Sequence, residues 1–407
     1  MTPSLHPADQ RAFDKAIAAQ PVWDLLDTAA SALGLSENVL LHAGPAFHSV
    51  EEICRPILHS ACVAAVYEGL SRDFDQAEAM IQSGEIILKP AQDHSVVTPL
   101  AAVVSASMPL HGIQDAHEKT ARVFAPINGG SRPSMRLGLR SEAVLDHIRW
   151  LNGPFCDILQ KNLAEGIALI PLAVTGLSNG DDCHGRTVFA NEALIAELED
   201  KTSGGIQDDE ARTFMASSPS LFLNLWMAAT KCIMTVASGI DGSSFVTAVA
   251  GNGVETGIQI SGLPGQWFTV DAAPPQGRFD VNLPADRALG AIGDSAVVEG
   301  FGLGAMAINL APEQRKNLGD FLPENSEARL SKLPVGNHPG FRSLNIQLGL
   351  TARSVVELAS GPMIGLGILD HAGEMGRLGG GIYDMPITPF TDALAALATL
   401  ESQKRPL

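Results

Sequence analysis

A glycine-bounded segment at residues 176–192 carries four kinds of ionisable group within a few positions. Two carboxylates, a thiol, an imidazole and a guanidinium follow closely, namely Asp181, Asp182, Cys183, His184 and Arg186. Glycine permits turn conformations with positive φ, which can hold such side chains at the mouth of a packed element. This density of ionisable groups in a mostly apolar chain indicates a functional loop. Alternatively, Asp181 or Asp182 only caps the helix that follows.

A second stretch, residues 124–138, combines a glycine turn with arginines. Asn128, Gly129 and Gly130 form the turn, and arginines follow at four-residue intervals, at Arg132, Arg136 and Arg140. If the chain is helical from the region of residue 134 on, Arg136 and Arg140 share a face near the helix start. A glycine-rich loop before a helix N-terminus, with arginines beside it, can bind a phosphate or a carboxylate. The alternative is that these arginines pair with the acidic surface.

Other candidate residues are more scattered. His94 stands where a strand is predicted to begin, either as a catalytic group or as a turn histidine bound to backbone. Glu299 lies in a glycine-rich stretch near Asp294, where each carboxylate could be functional or a helix cap. The glycine spacing there loosely resembles a dinucleotide fingerprint, but no βαβ unit surrounds it. Walker A, H-E-x-x-H and G-x-S-x-G motifs are also absent, so we expect no cofactor and no metal.

Composition narrows the possible partners. Of the 407 residues 45% are hydrophobic and 18% charged, which is typical of a compact globular protein. The formal charge of −18 disfavours nucleic-acid and anionic-membrane surfaces. Five cysteines without C-x-x-C spacing predict neither a disulfide framework nor a zinc site, and a reducing cytoplasm is expected. No signal peptide is evident, and the most apolar segment, residues 221–240, is predicted to be a buried core helix.

The elements that position these residues change character along the chain. Helical spacing predicts helices at about 51–70, from about 139, at 189–198 and after the Ser-Pro signal at 217–219. A change of period near residue 241 introduces strands, with a hairpin at Asn252-Gly253. Dense glycines at 361–382 predict tight turns or backbone close to a ligand or partner. We therefore predict a multi-domain α+β fold: a mixed α/β part at 1–138, a mainly helical part at 139–240 and a Gly-rich α+β part at 241–407.

Several of these motifs, in this order, resemble one known family over essentially the whole chain. They are Leu40-Leu41-His42-Ala43-Gly44-Pro45, Gly180-Asp181-Asp182 with His184 and Arg186, Asn252-Gly253 with Ile260-Ser261-Gly262-Leu263, Trp267-Phe268-Thr269, Gln276-Gly277, Gly293-Asp294-Ser295-Ala296 with Glu299, and the glycine-rich tail. The family is the YlbE-like family, whose best-understood branch is AllG, a subunit of oxamate carbamoyltransferase. Arg136 and Gly138 also match its pattern. Asn128-Gly129-Gly130 and Pro133 depart from it, which leaves open a related ureido or amide acid as the substrate.

The resemblance implies a reaction and partners. Oxalurate and phosphate would give oxamate and carbamoyl phosphate in anaerobic allantoin breakdown. The chain would act with an FdrA-like subunit and a third carbamoyltransferase subunit, and a homo-oligomer is also expected. One alternative makes this chain a non-catalytic scaffold subunit. Another makes it a metal-assisted amidohydrolase with Asp181, Asp182, His184 and Glu299 as ligands.

Such a reaction assigns roles to the candidate residues. Arg132, Arg136 and Arg186 are predicted to bind the substrate carboxylate or phosphate, beside the turn at Asn128, Gly129 and Gly130. His184 or His94 would move a proton at the leaving nitrogen near neutral pH, and Asp181, Asp182 and Glu299 could orient that histidine. We further predict that residues 128–136 and 176–186 line one shared cleft.

Overall fold

The computed structural model describes residues 5–119, 121–130, 133–163, 166–201, 205–280 and 284–404. Its α-helices are α1 (Pro7–Ala18), α2 (Ala29–Leu33), α3 (Arg55–Tyr67), α4 (Phe74–Gln82), α5 (Glu142–Trp150), α6 (Cys156–Asn162), α7 (Leu169–Ser178), α8 (Val188–Asp200), α9 (Asp209–Ser217), α10 (Ser220–Val236), α11 (Val297–Phe301), α12 (Pro312–Leu318), α13 (Ser326–Lys332), α14 (Ala352–Leu358) and α15 (Thr388–Lys404). Helices α5 to α10 fill most of the segment predicted to be helical.

The strands form several small sheets. They are β1 (Pro21–Thr28), β2 (Val39–His42), β3 (Ile87–Pro90), β4 (Val103–Val104), β5 (Pro109–Asp115), β6 (Arg122–Pro126), β7 (Ile167–Ala168), β8 (Val246–Asn252), β9 (Glu255–Ile260), β10 (Leu263–Asp271), β11 (Gln276–Phe279), β12 (Ile292–Gly293), β13 (Gly336–Asn337), β14 (Gln347–Leu348), β15 (Met363–Leu369) and β16 (Arg377–Asp384). The strand orders are β6-β5-β1-β7, β10-β9-β8-β12, β11-β16-β15, β3-β2-β4 and β13-β14. Among the described strands, all pairs are antiparallel except β2 with β3. The predicted α+β class is confirmed.

Helix α10 lies at the centre of the largest hydrophobic core. Its residues are almost all buried, and the surrounding cluster takes side chains from all three predicted parts of the chain, such as Trp23, Leu159 and Phe301. No described helix has the length and apolarity needed to cross a membrane. The division at residues 138 and 240 stays a prediction. The first turn of α10 reaches the surface of the core, where a cavity begins.

An ion pair between a buried aspartate and a partly exposed arginine joins α1 to α14. Asp9 on α1 is fully buried and accepts hydrogen bonds from the Ser243 hydroxyl at 3.0 Å and the Ser244 hydroxyl at 3.1 Å. It also accepts the main-chain N–H of Ser244, and the guanidinium of Arg353 on α14 donates to it at 2.7 Å. Because a buried carboxylate without partners is strongly unfavourable, this contact fixes α1 against the C-terminal part of the fold.

Residues 134–142 do not form one continuous helix. The segment after Ser134 is a single 3-10 turn over Met135–Leu137, which ends at Gly138 with φ of 70°. The helix α5 starts only at Glu142, capped by the Ser141 hydroxyl. The condition under which Arg136 and Arg140 would share a helix face is therefore not met, because glycine in the left-handed region ends the turn. The helix predicted from about residue 139 is present as α5. Arg140 leaves the expected face and pairs with Glu78.

The predicted hairpin at residues 252–253 is present as β8 and β9. The glycine-rich tail, predicted as tight turns or close backbone, folds as the antiparallel pair β15 and β16. A Cβ at Gly379 or Gly381 would meet the backbone of Arg278 or Gln276 on β11. The glycines are thus needed where the strand backbones approach each other.

Candidate active site

A cavity of about 970 Å³ lies where the helical middle meets the glycine-rich strands. Its lining residues come from several segments and are Pro99, Leu100, Asn128, Gly130, Arg136, Leu137, His184, Gly185, Ser217, Ser218, Pro219, Ser220, Leu223, Asn224, Arg278, Asp280, Ser295, Gln314, Asn317, Leu318, Gly365, Leu366, Gly367, Arg377, Gly380 and Gly381. His184 therefore faces the same space as Asn128, Gly130 and Arg136. The two stretches predicted to share a cleft are brought together, although some fifty residues separate them in sequence.

His184 forms a buried ion pair with Glu299. The histidine lies in the loop between α7 and α8, and the glutamate is on α11. The Nδ1 atom is 2.8 Å from both carboxylate oxygens, and neither side chain is more than a few per cent exposed. Burial by itself lowers the pKa of His184, but the charge and hydrogen bond of Glu299, together with the charge of Asp182, raise it above its ordinary value. The pair leaves Nε2 as the nitrogen able to exchange a proton with a ligand.

Glu299 is itself held by backbone donors. Its Oε1 atom accepts the N–H groups of Ala305 at 3.0 Å and Gly365 at 3.1 Å. A carboxylate with two backbone partners has a fixed orientation, so it fixes the ring of His184 as well. Gly365 belongs to β15, which links this pair to the glycine-rich strands.

The neighbouring aspartates shape the loop and do not line the cavity. Asp181 accepts the N–H groups of Val188 at 3.1 Å and Ala190 at 2.9 Å, in the first turn of α8. Asp182 accepts the N–H groups of His184 at 2.8 Å and Arg186 at 2.9 Å. Burial raises the pKa of both carboxyls, against the lowering effect of these hydrogen bonds. Asp181 therefore has the contacts of a helix cap, which was the alternative interpretation of this residue. Asp182 positions the backbone of His184.

The remaining sequence candidates occupy different places. Arg186 is 3.5 Å from Asp181 and covers the ring of Phe189 at 5.5 Å, outside the cavity lining. His94 ends a half-buried 3-10 turn and also lies away from this wall. Gly129 contributes its carbonyl to the Arg136 guanidinium at 3.2 Å. Arg132 lies outside the described residues.

Arg136 reaches the cavity from the 3-10 turn with only neutral acceptors around it. Its Nη1 donates to the Asn128 side chain at 3.2 Å and to Ser134 Oγ at 2.8 Å, and its Nη2 donates to the Gly130 carbonyl. Burial, with a smaller contribution from the charge of Arg377, lowers the pKa of Arg136 to about 10. It is still a cation at neutral pH. Among the described residues no carboxylate forms an ion pair with it, so its charge is available to an anionic ligand.

Two further arginines of the cavity were missed by the sequence reasoning. Arg278 lies on β11 and pairs with Asp320 at 2.6 Å, and Arg377 starts β16 and pairs with Asp280 at 2.8 Å. Both pairs are about half exposed, so they are weakly held. The density of glycines around them was the signal available in the sequence, since it indicated close approach by a ligand or partner. Three arginines thus line one cavity in an acidic chain.

No donor set for a metal is assembled at these residues. Within the described ranges, no group of three or more His, Cys, Asp and Glu side chains could hold a metal ion. Asp181 and Asp182, two of the ligands in the metal-dependent alternative, instead accept backbone N–H groups. All five cysteines are buried and free of disulfides.

Gly304 makes room for the His184–Glu299 pair, and its replacement by alanine tests this. Gly304 has φ of 60°, and a Cβ there would overlap Glu299 Oε1 and lie 3.0 Å from His184 Cβ. We expect Gly304→Ala to lower the free energy of unfolding by about 2–4 kcal/mol, from the left-handed backbone and the steric overlap together. Chemical denaturation measures this change.

Gly34→Ala provides the matched control. Gly34 has φ of 66° at the end of α2, but a Cβ there would meet no atom within 4 Å. Gly34→Ala should lower the free energy of unfolding only by the backbone contribution, about 1–2 kcal/mol. Equal losses in the two variants would contradict a steric role for Gly304.

The fold and the cavity together define an α+β protein in which arginines distant in sequence face one large pocket beside a buried His–Glu pair. The profile of the AllG family, described as "Oxamate carbamoyltransferase subunit AllG", matches residues 86–295. The chain is 31% identical to "Oxamate carbamoyltransferase subunit AllG" of Escherichia coli K12 over 98% of its own length and 99% of that protein. The chain belongs to the AllG family.

Two further similarities agree with this membership. The chain is 32% identical to "Uncharacterized protein YahG" of Escherichia coli K12, over 95% of this chain and 84% of that one. A crystal structure of a conserved protein of unknown function from Enterococcus faecalis V583 has the same fold, with a TM-score of 0.88 and 27% identity. It covers 96% of this chain, and 97% of the Enterococcus chain is matched.

Proposed function

We propose that this chain is a subunit of an oxamate carbamoyltransferase-like enzyme and binds the anionic substrates of that reaction in the arginine-lined cavity. The observation that carries this proposal is the convergence of Arg136, Arg278 and Arg377 beside His184 in a chain with a formal charge of −18. Family membership supplies the reaction class. The cavity supplies the charge that such substrates require.

The volume of the cavity agrees with two small ligands. Small-molecule sites usually measure about 300–1,000 Å³, and the cavity lies near the top of that range. Carbamoyl transfer needs a donor and an acceptor in contact, and holding both in one space removes much of the entropic barrier. Arg136 comes from the 3-10 turn at 135–137, and Arg278 and Arg377 lie on β11 and β16, so the cavity offers more than one cation for two anions.

The proposed chemistry uses His184 as the proton carrier. An oxygen of phosphate attacks the carbamoyl carbon of oxalurate, a new C–O bond forms, and the C–N bond to oxamate breaks. The departing nitrogen needs a proton, which Nε2 of the imidazolium can donate. Glu299 stabilises the imidazolium through Nδ1. In the opposite direction the amide nitrogen of oxamate attacks carbamoyl phosphate, and Nε2 of His184 accepts the proton that this amide loses.

The relative from Escherichia coli is named as a subunit, so we propose that partner chains complete the enzyme. An FdrA-like subunit and a third carbamoyltransferase subunit are the partners proposed, in the breakdown of allantoin. If instead this chain is only a scaffold, activity will appear on mixing the subunits and cavity substitutions will leave it unchanged. Assays of the separate and mixed subunits with cavity variants distinguish these possibilities.

Arg136→Lys tests the binding site directly. Lysine keeps the positive charge but cannot form the planar two-pronged contact with carboxylate or phosphate. We expect roughly ten- to a hundredfold weaker binding, about 1.5–3 kcal/mol, of oxamate, carbamoyl phosphate or oxalurate. Calorimetric titration of each ligand, with and without partner subunits, measures the change.

A surface arginine provides the comparison. Arg72 is 83% exposed, and among the described residues its ion pair is with its neighbour Asp73, so Arg72→Lys should leave every affinity unchanged. If Arg136→Lys binds all three ligands as tightly as the unsubstituted protein, Arg136 has a structural role. A melting curve of each variant shows whether a loss of binding reflects a loss of folding.

A further inference from the structure

Two buried asparagines in the cavity wall each have one amide atom without a partner. Asn128 is 5% exposed and Asn224 is fully buried. Among the described residues, Asn128 Nδ2 and Asn224 Oδ1 make no hydrogen bond. Several other buried polar atoms are also unpartnered, but only these two side chains line the cavity. An unsatisfied buried polar atom destabilises a fold, so one beside a ligand cavity indicates a partner that the ligand supplies.

The hydrogen bonds around the two amides determine which atom is free. Asn128 Oδ1 accepts from Ser134 Oγ at 3.2 Å and from Arg136 Nη1 at 3.2 Å, so this side of the amide must be the oxygen. Asn224 Nδ2 donates to the main-chain carbonyl of Asn128 at 2.9 Å, so its other atom must be the oxygen. Reversing either amide would place two donors or two acceptors against each other. The free atoms are therefore one N–H donor and one carbonyl acceptor.

A hydrogen bond from the Asn224 side chain to the main chain of Asn128 joins the two residues in the cavity lining. Asn224 lies in the second turn of α10, and its bond to the backbone of Asn128 joins that helix to the glycine turn. Arg136 contacts the same asparagine from the other side. Hydrogen bonds thus link Arg136, Asn128 and Asn224, which bring a cation, a donor and an acceptor to the cavity lining.

We propose that Asn128 and Asn224 determine specificity for a carbamoyl group, –CO–NH2, on an anion whose charge is bound by Arg136. This inference rests on the proposed function and assigns it a subsite. The carbonyl oxygen of the ligand accepts from Asn128 Nδ2, and its NH2 group donates to Asn224 Oδ1. Oxamate, carbamoyl phosphate and oxalurate each carry this terminal group. In such a site the ligand supplies the hydrogen-bond partners of the buried polar atoms. An analogue that lacks the matching groups leaves these atoms unpaired and therefore binds more weakly.

Oxamate and pyruvate form a matched pair of probes. They share the charge, the carboxylate and the neighbouring carbonyl, but pyruvate has a methyl group where oxamate has NH2. Calorimetric titration is made on this chain alone and with its partner subunits. We expect oxamate to bind at least about tenfold more tightly than pyruvate, because pyruvate leaves the acceptor of Asn224 unpaired. Equal affinities would overturn the proposal.

Asn128→Asp tests the donor. The aspartate can still accept from Ser134 and Arg136, so the wall should stay intact, but it has no N–H for the ligand carbonyl. We expect both oxamate and pyruvate to bind at least about tenfold more weakly. Asn317→Asp adds the same charge at an exposed position of the same cavity and should have a much smaller effect. Equal losses from the two substitutions would show charge repulsion alone and contradict the role of Asn128.

Asn224→Leu tests the acceptor, and the probes separate two kinds of failure. The variant should lose the preference for oxamate over pyruvate, and an unchanged preference would refute the role of Asn224. If it does not fold, the ratio of affinities in the unsubstituted protein still decides the proposal. If no anion binds that protein with or without its partners, the proposed function of the cavity fails too. If anions bind without regard to the carbamoyl group, only the subsite is wrong.

Discussion

Glu299→Gln is expected to lower kcat of the assembled enzyme by about a hundredfold or more while the chain remains folded. Glutamine can keep its Oε1 on the N–H groups of Ala305 and Gly365, which preserves the local backbone. Its Nε2 then faces Nδ1 of His184 and donates to it. The imidazole is neutral in this arrangement and carries its proton on the cavity-facing nitrogen, so the stabilised imidazolium is lost.

The pH profile distinguishes this effect from a general structural defect. Because Glu299 raises the pKa of His184, its replacement should move the titration of the histidine to lower pH. Nuclear magnetic resonance of the imidazole and the pH dependence of kcat both report this shift. Glu357→Gln, an exposed change on α14, should alter neither quantity. A fully active Glu299→Gln enzyme would remove His184 from the proposed proton transfer.

Acid sensitivity should depend strongly on His111, a histidine with no part in the proposed chemistry. It lies on β5 with its ring edge-on to Trp23, 4.9 Å between centroids, and neither ring nitrogen has a partner among the described residues. Burial lowers its pKa to about 3. The folded state therefore keeps His111 neutral below pH 6.5, while the unfolded state gains a proton. Stability falls as the pH drops from about 6.5 towards 3.

His111→Phe removes this proton uptake and keeps an aromatic ring in the core. At about pH 4.5 we expect the variant to be more stable by roughly 3 kcal/mol, from two pH units at about 1.4 kcal/mol each. At neutral pH the difference should be smaller, since only the unpartnered nitrogens and the ring size change. Urea unfolding at both pH values measures the two differences.

An exposed histidine serves as the control for that experiment. His117 follows β5 at the surface, and His117→Phe should leave the slope of stability against pH unchanged. The other buried histidines with lowered pKa, His42, His59 and His338, contribute in the same direction, so His111→Phe removes part of the acid sensitivity. An unchanged slope in His111→Phe would contradict the assignment of a neutral buried ring.

Local signals predicted those elements whose stability is local. The helix starting after Ser218-Pro219 and the hairpin at Asn252-Gly253 could be placed because capping and turn preferences act over a few residues. The strands β15 and β16 could not be predicted from local signals. Glycine disfavours strands in isolation, and it is suited to this pair only because another backbone, that of β11, lies against it.

The candidate site was predictable in part for the same reason. His184 and Arg136 were singled out from dense local motifs, and the family resemblance supported them. The glycines around Arg377 indicated a ligand or partner but did not single out the arginine, whose charge acts on Arg136 only in the folded chain. Asn224 gave no local signal, because an asparagine in an apolar helix is informative only once the fold places it against Asn128. Glu299 could be proposed from the sequence as one possible partner of His184. Only the geometry of α11 shows that Glu299 is the partner and Asp181 and Asp182 are not.

The ion pair between Asp9 and Arg353 has a consequence for synthesis of the chain on the ribosome. The two residues are 344 positions apart, so Asp9 is made long before its partner. At about 5–20 residues per second, on the order of 20–70 s separate their appearance. During that interval α1 has no arginine to neutralise its carboxylate in the core. We therefore expect stable docking of α1 to wait until Arg353 has been made, and the buried face of α1 to stay exposed on the nascent chain for that interval.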